Sequence, residues 1–237
     1  MMRRPGGELA TRPLHFIWIA DCSGSMSQEG KIQALNTAIH EAIPHMQKVA
    51  DENPNAQVLV RALKFSNGAQ WHISQPTDVA DFRWVDLEAE GVTDMGKAFS
   101  RVAEQLKIPP MTDRALPPVL VLISDGQPTD DYKKGLQELL DQPWGKKAVR
   151  IAIAIGADAD LDVLQKFIGN PEILPLQANS PENLVKYIRW VSTVVLKSAS
   201  APASQTAADP STAPNVPVPV APPAVDADEP ETAADVW

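Results

Sequence analysis

Four continuous apolar runs rich in β-forming residues recur along the chain: LHFIWIA (14–20), QVLVRALKF (57–65), PVLVLIS (118–124) and AVRIAIAIG (148–156). Runs without polar alternation mark strands buried on both faces. Between them the apolar positions switch to helical period. Ile32, Leu35, Ile39, Ile43, Met46 and Val49 share one face over 31–50, and Met95, Ala98, Phe99, Val102, Ala103 and Leu106 share another over 94–107. Shorter helices are predicted at 131–141 and 159–168, and a last one over 181–197 carries Leu184, Ile188, Val191 and Val195. Pro44 lacks the N–H that a helix interior needs, so it is predicted to kink or divide the first helix. A short strand pair is expected near 69–73 and 83–87. EILPLQ (172–177) reads as a short edge strand, where Pro175 is tolerable.

Buried strands alternating with helices predict an α/β fold: a mostly parallel central sheet with one short antiparallel edge strand and helices on both faces. Right-handed crossovers place the strand C-termini along one edge, where ligands of such folds bind. Residues 1–12 read as an N-terminal extension and 13–197 as the domain. From Ser198 the composition changes abruptly. Eight of the last 40 residues are proline, most of the rest are Ala, Ser, Thr and Val, and no Lys or Arg follows Lys197. Such a segment buries too little apolar area to offset its ordering entropy, so 198–237 is expected to be a disordered acidic tail.

Charge narrows the function. The six acids after Lys197 account for most of the formal net charge of −9. The remainder shows no basic face, which argues against a nucleic-acid partner. No stretch approaches the length of a membrane span. Cys22 is the only cysteine, and the arginines near the start precede no cleavage site of signal-peptide type, so a reducing, cytoplasmic setting is expected.

The chemistry gathers at the strand ends. IWIADCSGSMS (17–27) finishes a strand and at once places Asp21, Ser23 and Ser25 at alternate positions. A polar turn does not need that spacing, whereas a hard divalent cation collecting oxygens does. Hydroxyls supply little charge, so the ion would stay electrophilic and suited to recruiting an anion from outside. SDGQPTD follows another strand and brings Asp125 to the same edge.

D-x-S-x-S, with Thr93 in EGVTDMG and Asp125 in LISDGQPTD, resembles the von Willebrand factor A domain over about residues 13–197. The resemblance implies a Rossmann-like fold and a metal-ion-dependent adhesion site. Its ligands would be Asp21, Ser23, Ser25, Thr93 and Asp125, and its cofactor Mg2+, with Mn2+ or Ca2+ as alternatives. Ser23 and Ser25 would bind the ion directly, with Asp21 acting largely through water. A partner's Asp or Glu would complete the octahedron. Thr93 or Asp94 also suits the cap of the helix that follows, and Asp130 and Asp131 read as acids opening the next helix. Met26, Gln28, Asp94 and Gln127 are expected on the partner-facing rim. Cys22 reads as a small buried thiol. The scattered histidines do not suggest zinc.

GVTDMGKAF…PPVLVLISDGQPTDDYKKGL is most similar to the bacterial TerY-type branch, associated with tellurite resistance. That resemblance implies a non-enzymatic adaptor, monomeric when unbound. It would work beside a Ser/Thr-type kinase and a metal-dependent phosphatase in stress signalling. An adaptor of a AAA+ ATPase is one alternative. Another is a metal-dependent phosphoester hydrolase, for which the sequence offers no general base beyond the ligands. Trp237, behind an acidic, proline-rich stretch, is either a frayed end or a docking anchor.

Overall fold

In the computed structural model, which describes residues 11–201 and 217–224, the apolar runs become the inner strands of one six-stranded sheet. These are β1 (Arg12–Asp21), β2 (Ala56–Ser66), β4 (Val119–Ser124) and β5 (Val149–Ile155), with β3 (Gly68–Asp78) and β6 (Leu176–Ala178) at the edges. The order is β3-β2-β1-β4-β5-β6, and every pair is parallel except β2 with β3. Alternate residues of each inner strand feed two separate cores. Leu14, Phe16, Trp18 and Ala20 of β1 join one, and Ile17 and Ile19 the other, as the two-residue period requires.

Helices cover both faces. α1 (Lys31–Asp51), α6 (Pro181–Trp190) and α7 (Leu196–Ser200) contribute to the first core. α2 (Met95–Gln105), α3 (Tyr132–Leu140), α4 (Pro143–Lys147) and α5 (Leu161–Ile168) contribute to the second. α2 and α3 cross at glycines, and a Cβ on Gly135 would lie 2.1 Å from the Gly96 carbonyl oxygen. β1 sends its chain outward on one side to β2, while β4 lies on its other side. The order therefore switches between β1 and β4, and the loops after these two strands open onto the same crevice.

Several expectations change. α1 runs unbroken through Pro44 because that proline is exposed, so the carbonyl it strands one turn earlier can meet water. The antiparallel edge strand is β3, and at 11 residues it is not short. Its partner is β2, and residues 83–87 form no strand. The edge strand expected over 172–177 shrinks to Leu176–Ala178 and starts after Pro175. The last helix continues to Ser200 through a π-helical stretch, Val191–Val195. There Ser192 Oγ donates to the Ile188 carbonyl (2.6 Å) and Thr193 Oγ1 to the Arg189 carbonyl (2.7 Å). Hydroxyls that bond back to the preceding turn compete with the regular helical ladder.

Of the segment expected to be disordered, residues 198–200 complete α7, residues 217–224 lie against the domain without regular secondary structure, with Val218 and Ala221 packed on its first core, and residues 202–216 and 225–237 lie outside the described residues. Trp237 and most of the N-terminal extension lie outside the described residues.

Candidate metal centre

Asp21 ends β1 with its side chain fully buried. One carboxylate oxygen accepts from the Ser23 N–H (2.8 Å), which folds the loop back on itself. The other accepts from Ser124 Oγ at the end of β4 (2.6 Å), tying the two strand ends together. Gly24 then passes under the neighbouring loop. Its N–H donates to the Gly91 carbonyl (2.9 Å), and a Cβ would sit 3.2 Å from that oxygen. The glycine eases a close approach rather than a strained backbone, since its backbone is not left-handed and a Cβ would crowd the neighbouring loop.

This turn brings three oxygens to one point. Ser23 Oγ and Ser25 Oγ lie 3.0 Å apart, and Ser25 Oγ donates to the Asp125 carboxylate from across 100 residues. Ser23 and Asp125 are buried and Ser25 is half-buried, so the cluster opens outward on the Ser25 side. Two carboxylates and three hydroxyls are linked here, and among the described residues no cation is one of their hydrogen-bond partners. Burial, and secondarily the charge of Asp125, push the Asp21 carboxyl up to about 6, against the opposing hydrogen bonds from Ser124 and Ser23. A divalent cation at the point of convergence would relieve both costs, and the hard-oxygen donor set fits one. Among the described residues no three His, Cys, Asp or Glu side chains cluster as a metal site, so such a cation would depend on hydroxyls.

Thr93 is connected through its loop. The Cys22 carbonyl accepts from the Glu90 N–H (2.8 Å), which lays residues 90–93 along the Asp21–Ser25 turn. Thr93 is buried, its N–H donates to Thr129 Oγ1 (3.1 Å), and its carbonyl accepts from the Thr129 N–H (2.9 Å). The loop after β4 thus holds both Asp125 and the main chain of Thr93.

Of the four residues expected on the rim, Gln28 and Gln127 are exposed. Gln127 braces the loop, donating from its N–H to Asp125 Oδ1 (3.3 Å) and from Nε2 to the Asp158 carbonyl (3.0 Å). Met26 turns into the first core and is fully buried. Asp94 is also buried, accepting from the Gly68 N–H (2.7 Å) and from Lys97 Nζ (2.7 Å), and the hydrogen bond from Lys97 above all holds its carboxyl low. Neither therefore stands on the rim. Cys22 is buried beside Asp21, and burial pushes its thiol up to about 12.

Sequence reasoning missed three supports. Ser124 fixes Asp21, and its only signal was a hydroxyl directly before Asp125. Thr129 holds Thr93. Asp130 does not open the next helix but caps α2, accepting from Gly96 N–H (2.8 Å) and Lys97 N–H (2.9 Å), while Asp131 caps α3.

Solved structures share this fold. A von Willebrand factor type A protein from Catenulispora acidiphila aligns with TM-score 0.58 at 18% identity, over 81% of this chain and 43% of that one. The ArnB paralog VWA2 from Sulfolobus acidocaldarius aligns with TM-score 0.54 at 19% identity, over 75% of this chain and 44% of that one. Proximal thread matrix protein 1 from the mussel byssus, whose structure has a zinc-occupied MIDAS motif, aligns with TM-score 0.59 at 17% identity, over 80% of this chain and 50% of that one. The chain thus spans half or less of the length of these proteins. No curated protein sequence matches it. The family model of the von Willebrand factor type A domain matches residues 17–188, well over half of the chain and all of the loops described above, and the chain belongs to that family.

Proposed function

We propose that the chain is a non-enzymatic, metal-dependent protein-interaction module. The observation that carries this reading is the convergence of Ser23 Oγ, Ser25 Oγ and the Asp125 carboxylate in front of buried Asp21. Ser23 and Ser25 would hold a divalent ion directly, Mg2+ first and Mn2+ or Ca2+ as alternatives. Asp21 would orient the Ser23 loop and act through water. Thr93 and Asp125 would complete the set from the neighbouring loops. When bound, the ion supplies a Lewis-acidic position for an incoming carboxylate, because three of its protein ligands, Ser23, Ser25 and Thr93, are neutral. A partner's Asp or Glu fits that role, with exposed Gln28 and Gln127 beside it. The zinc reported in the MIDAS motif of the mussel protein supports a divalent ion at this place in the fold.

In finer detail, the TerY-like run around GVTDMGKAF and LISDGQPTD supports an adaptor role beside a Ser/Thr-type kinase and a metal-dependent phosphatase in the bacterial cytoplasm. No helix among the described residues is long and apolar enough to cross a membrane. The test is titration of Mg2+ and Mn2+ by calorimetry, together with affinity capture of partners in Mg2+ and in EDTA. Ser25→Ala should lose metal binding and metal-dependent capture while keeping its circular dichroism spectrum. Equal metal affinity in wild type and Ser25→Ala would overturn the reading.

A further inference from the structure

A small cavity of about 70 Å3 opens at the C-terminal ends of β5 and β6, beside the strand that leads to Asp125. Its floor is apolar, formed by the buried side chains of Ile155, Ala178 and Leu184. Its mouth is wet, since Asn179 and Pro181 are exposed. α1 begins beside it with Lys31 and α6 with Pro181, so the positive ends of two helix dipoles meet there. The volume admits a few waters, or a carboxylate with the methylene that carries it, and is far below that of a site for a whole cofactor.

Lys31 is the cation that lines this cavity. Its side chain is only 9% exposed, yet Nζ donates no hydrogen bond to any described residue. Nζ rests against Gly156, where a Cβ would lie 2.9 Å from it. The acid within reach is Asp158, whose Oδ1 is 3.8 Å away and whose side chain is 67% exposed. An ion pair that long and that wet contributes little, so a nearly buried ammonium lacks a close acceptor. Glu29, which also lines the cavity, is exposed, and water screens its charge in the same way.

The cavity and the candidate metal centre share a loop, residues 156–160. On one side its Asp160 N–H donates to the Asp125 carbonyl (2.8 Å), and its Asp158 carbonyl accepts from Gln127 Nε2 (3.0 Å). On the other, the Asp158 carboxylate faces Lys31. Ser124 pairs with Ala154, so Asp125 and Ile155 are the next positions on adjacent strands, about 5 Å apart. From Ser25 to Lys31 the chain passes through the 3₁₀ turn Gly24–Gly30, a rise of about 12 Å. The cavity thus lies on the order of 10 Å from the point where the oxygens of Ser23, Ser25 and Asp125 converge.

We propose that this cavity seats a second acidic side chain of the partner, with Lys31 Nζ as its counter-ion, so that the partner is recognised by a pair of acids. The proposal rests on the metal-dependent reading above and specifies its partner. That partner presents an acidic segment whose two carboxylates sit about 10 Å apart, a distance that an extended chain covers in about three residues. One carboxylate meets the ion and the other enters the cavity. There the apolar floor takes the methylenes, which favours Glu over Asp, while the ammonium and the two helix dipoles face the charge. Once the first acid is bound, the second contact is intramolecular and adds affinity without a second association cost.

The test uses the isotope-labelled full chain in Mg2+ and capped alanine peptides. One peptide carries a single Asp, and the others add a Glu two, three or four residues to either side of it. In wild type, at least one two-acid peptide should bind about tenfold tighter than the one-acid peptide, read from amide chemical shifts. Lys31→Gln should lose that gain while keeping its Mn2+ affinity in calorimetry. Ala34→Leu, which fills the cavity without touching charge, should lose the gain too. Equal affinity of wild type for all the peptides, or a gain that survives in either variant, overturns this proposal alone. Weaker Mn2+ binding in Lys31→Gln would assign Lys31 to bracing the Asp125 loop through Asp158, and overturns it as well. Propionate that occupies the cavity while no two-acid peptide gains would make free acids the ligand and overturn the assignment to a partner. Absence of Mn2+ binding in wild type overturns the metal reading and this proposal with it.

Discussion

Asp21 and His15 respond to acid in opposite directions. The Asp21 carboxyl is pushed up to about 6 mainly by burial, so keeping it ionised in the fold costs stability above that pH. Acidification from pH 6 toward 4 relieves the cost. His15 is lowered to about 4 by burial and by the charge of Arg61. Between pH 6.5 and 4 the unfolded chain takes up a proton that the fold refuses, so the same acidification removes stability. Metal-free wild type should therefore have nearly flat stability over pH 4–6 in urea titrations. Asp21→Asn removes the buried charge but leaves one acceptor where two oxygens accept from Ser23 and Ser124, so its relief at pH 7 is offset by a lost hydrogen bond. With only His15 left to respond, the variant should become acid-sensitive over pH 4–6. A stability that stays flat over pH 4–6 in metal-free Asp21→Asn would contradict this account. Asp21, Ser23, Ser25 and Asp125 were legible in the sequence because alternate oxygens after an apolar run are a local pattern. Ser124, Thr129 and Asp130 were not, because each acts on a loop some 30 or 100 residues away.

At the scale of elements, α2 and α3 depend on one crossing. Gly96 and Gly135 let their backbones touch, and the neighbour that a Cβ on Gly135 would meet is a main-chain carbonyl that cannot rotate away. Gly135→Ala should cost about 1–3 kcal/mol or more as overpacking, read as a lower urea midpoint. Asp130→Ala removes the α2 cap supplied by the loop after β4 and should cost about 1 kcal/mol. Because α2 begins just beyond Thr93, this variant should also bind Mn2+ more weakly in calorimetric titration. The helices and inner strands were legible from their periods. β3 was underestimated because GAQWHISQPTD is half-exposed and carries few apolar residues to reveal it. The packing of Val218 and Ala221 on the first core escaped notice because proline-rich chains without a helical or two-residue apolar period give no packing signal.

For the whole molecule, metal should act as a folding ligand. If Mg2+ binds the folded state alone, a concentration of 100 times its dissociation constant adds about 2.7 kcal/mol. Wild type should show a clear rise in melting temperature with Mg2+, and Ser23→Ala with Ser25→Ala should show none. An equal rise in both proteins would assign the effect to ions elsewhere.

The sheet leaves little opportunity for a visiting strand. Along one side β3 pairs with β2 through register shifts near Val60, Ala62 and Leu63 and carries Pro76, which offers no N–H. Along the other, β6 is three residues long and follows Pro175. Short, bulged and proline-marked margins discourage edge-to-edge addition. Another protein is therefore steered away from extending the β-structure and toward the loops at the strand tips.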